Sequence, residues 1–296
     1  MKPLVTIIPS KNRAMQLDGC LTSYARHCAN APPPMVIYKA TTEQHASQYA
    51  RLAVEHPGVV MVREDSFFPQ FRELMLVNNP EAVLFLVDDS MFIRPVDLDQ
   101  AQSLIVDPRM IGVSLRLGRN TTSCYPMGGQ HQEVPALKDG PGSWHCFDWA
   151  ECAKEDAALV AEGKPMRWLD WAYPFDVSST LVRTETILRL LGDRRPENPN
   201  RLEATLAESA PLVAEESPFL ACLDRSACFA VPWNRTQEEF RNRCGGQLHV
   251  SIDMLAKRFD EGWRLDVDHY AELAKNQEFP GGCHQEIELR VRKVGK

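Results

Sequence analysis

"AVLFLVDDSMFIRP", residues 82–95, sets six apolar side chains in a row, then two carboxylates and a serine, then three more apolar side chains. A run this short, with no polar residue in it, reads as a strand buried on both faces, the kind found in parallel sheets covered by helices. Residues 4–9, 35–40 and 59–63 repeat the pattern, rich in Val and Ile, and residues 14–28, 43–55 and 69–78 between them have helical spacing. Strand and helix in regular alternation predict a right-handed βαβ series and an α/β fold, with a mostly parallel central sheet flanked by helices.

The alternation continues with a helix over 97–106, which Asp97 can cap, and a strand over 110–116. Residues 117–142 are rich in Gly, Pro, Asn, Gln and Ser and too long for a mere connection, so they are a candidate substrate loop. Further on, the spacing predicts helices over 149–162, 184–191, 199–208, 251–259 and 267–276, and strands over 175–182 and 228–232.

Composition narrows the class. The 296 residues are 44% hydrophobic and 25% charged, as in a folded globular chain. No run approaches the roughly 18–20 apolar residues of a membrane helix, and the first nine residues are interrupted too early for a secretory signal, so a cytoplasmic location is expected. Nine cysteines, an odd number with no CxxC pair, speak against a disulfide framework or a structural zinc site. His131, His145, Cys146 and Cys152 match no metal-ligand spacing. Asn120-Thr121-Thr122 and Asn234-Arg235-Thr236 form glycosylation sequons, which without a secretory route read as coincidence. A net charge of −7 gives no electrostatic reason to expect a nucleic-acid backbone. The basic clusters at 194–195, 241–243 and 290–296 read as solvated surface.

In open α/β sheets ligands bind beyond the carboxyl ends of the strands, where Asp88 and Asp89 stand. Adjacent carboxylates in a partly dry cleft need a cation or hydrogen-bond donors to offset them. A Mg²⁺ or Mn²⁺ ion suits, since such ions take one or two protein carboxylates and complete the shell with phosphates and water. The other reading, that the two residues cap the following turn through backbone N–H groups, stays open. Pro9, Ser10, Lys11, Asn12 and Arg13 leave the first strand at the same edge of the sheet, and Lys11 and Arg13 suit a nucleotide or diphosphate. Neither GxGxxG nor GxxxxGK[ST] occurs, which disfavours a dinucleotide-binding dehydrogenase or a P-loop kinase.

"VTIIPSKNRAMQLDGCLTSY" (5–24), "VIYKATTEQ" (36–44) and "LFLVDDSMFIRP" (84–95) resemble, in order and spacing, the amino-terminal half of bacterial nucleotide-sugar glycosyltransferases of the GT-A, family 2-like kind. "YPFDVSSTLVRTETI" (173–187), "NPNRLEATL" (198–206), "VPWNRTQ" (231–237) and "HQEIEL" (284–289) resemble later blocks of uncharacterised bacterial members. The resemblance implies a Rossmann-like GT-A catalytic domain over 1–225, with a nucleotide-binding half (1–116) and an acceptor and sugar half (117–225). Residues 226–296 would form a helical extension packed on it. It further implies a nucleotide-diphosphate sugar donor, UDP-sugar favoured, held by Pro9 to Arg13 and Asp88, with Mn²⁺ or Mg²⁺ on Asp89 and Asp88. Ser90 departs from the stricter Asp-x-Asp form. Lys39 stands where many relatives hold the base with an Asp, a role open to Asp65 after the third strand. The acceptor is left open among a glycan, a lipid-linked sugar, a small molecule and, least favoured, a modified DNA base.

Inverting transfer needs a carboxylate to deprotonate the acceptor hydroxyl. Asp170, Asp176 and Glu203 are the candidates; Glu203 is read as the base and Asp176, taken as interrupting a strand, as a sugar ligand. A helix-dipole role for Glu203 and a satisfied buried role for Asp176 stay open. Aromatic residues around Asp170 (Trp168, Trp171, Tyr173) and Asp148 (Trp144, Phe147) suit sugar faces, although core packing is the commoner use. Arg235 offers a planar fork to diphosphate oxygens. His284 and Glu286 either close the site or anchor the tail. Two rival readings are a nucleotidyltransferase acting on a sugar phosphate and a non-catalytic nucleotide-sugar binding module.

Overall fold

A computed structural model describes residues 3–77, 79–240, 243–246, 248–275 and 281–294. Asn78 and Asn276, at two predicted helix ends, and Arg241 and Lys296 of the basic clusters lie outside the described residues. The architecture is mixed α/β. Nine strands form one sheet in the order Lys138–Asp139, Trp144–Asp148, Phe219–Leu223, Met110–Ser114, Thr180–Arg183, Ala82–Phe85, Leu4–Lys11, Met35–Lys39, Val60–Arg63. The strands joined by the predicted βαβ units are parallel, with Ile7 opposite both Met35 and Phe85. Thr180–Arg183 enters antiparallel to both of its neighbours, which makes the other half of the sheet mixed.

Side chains alternate between two cores, as strands covered on both faces require. Val5, Ile7, Val83 and Phe85 join one apolar cluster, and Ile8, Leu84 and Leu86 the other. Pro9 is tolerated within the first strand because pairing with Ala82–Phe85 ends at Ile7 and Phe85, so its missing N–H interrupts no bond there. Helices Ala14–His27, Glu43–Glu55 and Phe67–Leu76 lie between the parallel strands as the spacing predicted. Asp97 caps the Leu98–Leu104 helix by accepting from Asp99 N and Gln100 N.

The strand predicted over 175–182 begins late. It runs Thr180–Arg183, because residues 175–179 turn instead: Asp176 Oδ1 accepts Ser178 N at 2.7 Å, a local bond that competes with a ladder. Asp176 therefore sits before the strand, not within it.

After the last sheet strand the chain returns to the Asp88–Asp89 turn. Cys228–Ala230 pairs antiparallel with Ser90–Phe92, and Val231 N donates to Asp89 O at 3.0 Å. Residues 283–285 add an outer rung, with Ala230 N bonded to Cys283 O and Gln285 N to Ala230 O, both at 2.9 Å. Gly281 makes that approach possible: a Cβ there would stand 1.2 Å from Asn120 O. Helices Ile252–Asp260 and Val267–Lys275 pack on Ala14–His27. Among the described residues no helix is long and apolar enough to cross a membrane.

Candidate active site

Two linked clusters lie at the carboxyl ends of the parallel strands. In the first, Asn12 adopts a left-handed backbone (φ 58°), and its side chain bonds Thr41 through Nδ2 to Oγ1 at 2.7 Å and Oδ1 from N at 2.9 Å. This sharp exit brings Arg13 to the two carboxylates. Arg13 Nη1 lies 2.9 Å from Asp88 Oδ1 and 3.1 Å from Asp89 Oδ2. Ser10 Oγ donates to the other Asp88 oxygen at 2.8 Å and meets Tyr49 OH at 2.7 Å. The turn closes through Ser90 N to Val87 O at 3.0 Å; Ser10 and Arg13 engage the carboxylates, and Asp89 also accepts its own backbone N–H, so a turn-capping role coexists with these partners.

Burial pushes the Asp89 carboxyl up to about 6; Arg13 pulls it down and Asp88 adds to the rise. Burial also works against the Arg13 charge, but Asp88 and Asp89 outweigh it and hold the guanidinium more firmly protonated than usual.

The second cluster surrounds Arg116, 4% exposed and ion-paired through Nε with Asp176. Its Nη1 reaches Ser178 Oγ at 3.3 Å and His284 Nδ1 at 3.5 Å, and Nη2 stands 4.0 Å from Asp170. Ser178 donates both N–H and Oγ–H to Asp176 Oδ1. Beside them, Tyr173 OH donates to Glu203 Oε1 at 3.1 Å. Burial, reinforced by the nearby Asp176 charge, raises the Glu203 carboxyl to about 7, against the pull of Arg116 and the Tyr173 bond. Burial and then Arg116 hold His284 down to about 4, so its imidazole is neutral at neutral pH.

Ser90 joins the clusters. Its hydroxyl donates to Ser178 O at 3.0 Å, tying the Asp88–Asp89 turn to the Asp176 turn. Ser90→Ala leaves that buried carbonyl without its donor and is expected to cost about 1 kcal/mol in a denaturant melt. An unchanged midpoint would show that the bond contributes nothing.

Of the residues expected at the site, Ser10, Arg13, Asp88 and Asp89 come together in the first cluster, and Asp176 and Glu203 in the second. Lys11 Nζ reaches Thr236 O at 3.1 Å, and Pro9 is half-buried in the strand below. Three lie apart. Lys39 pairs with Glu64 at 3.0 Å at the edge of the sheet, Asp65 is exposed, and Arg235 is exposed with Nη1 on Phe240 O at 3.1 Å. Its neighbour Asn234 fills the site instead, accepting Arg13 Nε at 2.9 Å. Sequence reasoning also missed Tyr49, Gln16 and Arg116, each a polar residue in a segment read only for its period. The clustered tryptophans serve the core: Trp144 and Trp171 are buried, and Trp171 Nε1 donates to Thr121 O at 3.0 Å. A cavity of about 550 Å³ bordered by Asp18, His56 and Arg264 shares no residue with either cluster. Among its lining residues Arg264 pairs with Glu55 at 2.7 Å, and His56 Nε2 lies 2.9 Å from Asp18.

No protein-family model matches the chain. It is 24% identical over 302 residues to the bifunctional glycosyltransferase pgtA of Dictyostelium discoideum, a match covering 91% of this chain. The chain spans 37% of that relative's length. Similar solved structures include the mannosyltransferase PcManGT of Pyrobaculum calidifontis in complex with GDP-Man and Mn²⁺, at 17% identity and a TM-score of 0.44, covering 78% of this chain and 57% of that one. Glucosyl-3-phosphoglycerate synthase of Mycobacterium tuberculosis, in complex with Mn²⁺ and UDP, is 11% identical with a TM-score of 0.45, covering 79% and 73%. TarS of S. aureus is 12% identical with a TM-score of 0.42, covering 79% and 61%.

Proposed function

We propose that the chain is a GT-A-type glycosyltransferase that moves a sugar from a nucleoside-diphosphate donor to an acceptor hydroxyl with inversion, assisted by a divalent cation. One juxtaposition carries the reading. A carboxylate pair at the strand exit is joined, through Ser90 and the Ser178 carbonyl, to a second cluster holding a carboxylate raised to about 7. A general base is most effective when its pKa lies near the operating pH. The glycosyltransferase to which the chain is 24% identical supports the same class.

In this reading Pro9 to Asn12 and Asp88 line the nucleotide side, with Arg13 facing the diphosphate. Glu203 takes the acceptor proton while Tyr173 OH on Oε1 and the Val177 N–H orient its carboxylate. The acceptor oxygen bonds to the anomeric carbon as the bond from that carbon to the phosphate oxygen breaks, and the nucleoside diphosphate leaves with the electron pair. Asp176, its oxygens engaged by Arg116 and Ser178, acts by positioning Arg116 and not by meeting the sugar.

The residues fit a divalent ion through Asp89. Both Asp88 oxygens are engaged, whereas Asp89 meets Arg13 through one oxygen only. Among the described residues no group of three or more His, Cys, Asp or Glu side chains is placed to hold a metal, so donor phosphates and water must complete the shell. When bound, such an ion supplies Lewis-acid stabilisation of the leaving diphosphate.

The reading is tested by melting the protein with UDP-, GDP-, CMP- and dTDP-sugars, each with Mn²⁺ and with EDTA. Ligands that bind only the native state raise Tm by mass action. One nucleotide class, expected to be UDP, should raise Tm and then be released as free diphosphate when an acceptor is present. Pyrophosphate as product would instead indicate nucleotidyl transfer, and binding without any release a non-catalytic module. No shift with any donor would overturn the proposal.

A further inference from the structure

The guanidinium of Arg13 stands where a cation on the carboxylate pair would act. A single nitrogen, Nη1, serves both acids, at 2.9 Å from Asp88 and 3.1 Å from Asp89. The other two nitrogens are tethered to one residue: Nε donates to Asn234 Oδ1 at 2.9 Å and Nη2 to Asn234 O. Asn234 is steadied in turn by Gln16 Nε2 on its Oδ1 at 3.1 Å and by its own Nδ2 on Val250 O at 3.2 Å. The Arg13 side chain is 10% exposed. A surface arginine can swing aside at little cost; this one is held at all three nitrogens.

Charge arithmetic gives the consequence. Two carboxylates alone carry −2 and attract a divalent ion strongly, while the pair with Arg13 carries −1 and presents that ion with a like charge a few ångströms away. A bridging guanidinium also consumes an Asp89 oxygen that the ion could use. We infer that Arg13 is a resident counter-cation of the Asp88–Asp89 pair. It neutralises the pair when no metal is bound and competes with a divalent cation for Asp89, so metal loads weakly until a nucleoside diphosphate supplies further oxygen ligands. The inference rests on the donor-site reading above only for its last clause; competition for Asp89 follows from the geometry alone.

The test titrates Mn²⁺ without nucleotide, following free Mn²⁺ by electron paramagnetic resonance, on the unmodified protein, Arg13→Met and Asn234→Ala. Methionine keeps much of the arginine's volume and removes its charge. Removing a side chain is expected here to tighten metal binding, by tenfold or more in Arg13→Met and about threefold in Asn234→Ala, which removes the Nε tether and keeps the backbone bond to Nη2, loosening the guanidinium without deleting it. Asn234→Ala carries the test alone if Arg13→Met fails to fold. In parallel melts, the donor-induced rise in Tm should persist in EDTA for the unmodified protein and become Mn²⁺-dependent in Arg13→Met. Mn²⁺ affinity unchanged or weaker in the folded variants overturns the inference. Tighter Mn²⁺ binding with no donor shift under any condition supports the counter-cation and sinks the donor reading.

Discussion

Glu203→Gln is expected to lower acceptor-dependent turnover by about 10²–10⁴ while leaving donor-induced stabilisation in place, because only the proton acceptor is lost. Glutamine keeps the shape and can still meet Tyr173 OH, so a packing defect is not the cause. The pH profile separates a base from a structural carboxylate. With the carboxyl at about 7, turnover should rise with pH up to and through neutrality, as the ionised form becomes populated, and the variant's residual rate should lose that limb. Stability moves oppositely. A carboxyl whose folded pKa is raised above its unfolded value favours the folded state fully below pH 4.5, and that contribution is lost as pH rises through about 7. Glu203→Gln should therefore melt higher than the unmodified protein at pH 8, by roughly 2–4 °C if about 1 kcal/mol is recovered, with the difference vanishing near pH 4. A variant that loses turnover and also melts lower at pH 8 would assign Glu203 to the fold and not to the chemistry.

Asp89→Asn is the second large effect. Removing a group that acts on leaving-group charge typically costs about 10²–10³ in rate. Asp89 has one oxygen outside the Arg13 pair and its side chain is 11% exposed, so an amide can replace it without leaving a buried charge unmet. The expected result is a normally folded protein whose turnover and Mn²⁺ response fall together. Asp88→Asn should differ. Asp88 is 4% exposed and both its oxygens accept, from Ser10 and from Arg13, so an amide nitrogen there would face one of these donors, and stability should suffer along with activity. Full activity and an unaltered Mn²⁺ response in Asp89→Asn would remove Asp89 from the site.

The sequence made the parallel half of the sheet legible because its strands are continuous apolar runs and its helices carry the longer period. The antiparallel half was not. Trp144–Asp148 mixes aromatic, Cys and polar residues without clean alternation, Phe219–Leu223 is a five-residue apolar run whose period alone does not separate strand from helix, and Thr180–Arg183 begins late because a side-chain bond from Asp176 competes locally. At the site, Asp88 and Asp89 announced themselves as charges in an apolar run. Arg116 did not, since it follows a buried strand and meets its partners only after the chain has travelled some sixty residues to Asp176. Asn234 was hidden behind Arg235: charge alone favoured the arginine, but only the backbone path decides which of two neighbours faces the cleft.

The rungs at Ser90, Ala230 and Cys283 to Gln285 have a consequence for how the molecule comes together. They join positions from the first third, the last third and the end of the described chain, contacts whose loop-closure entropy must be met before any reward is gained. The strand exit can form early, from local βαβ units. The cleft is completed only when the segment beginning at Gly281 docks against Asn120 and Ala230. Recovery of ligand binding during refolding should accordingly lag behind recovery of secondary structure, and the length of that lag measures the final docking step of this fold.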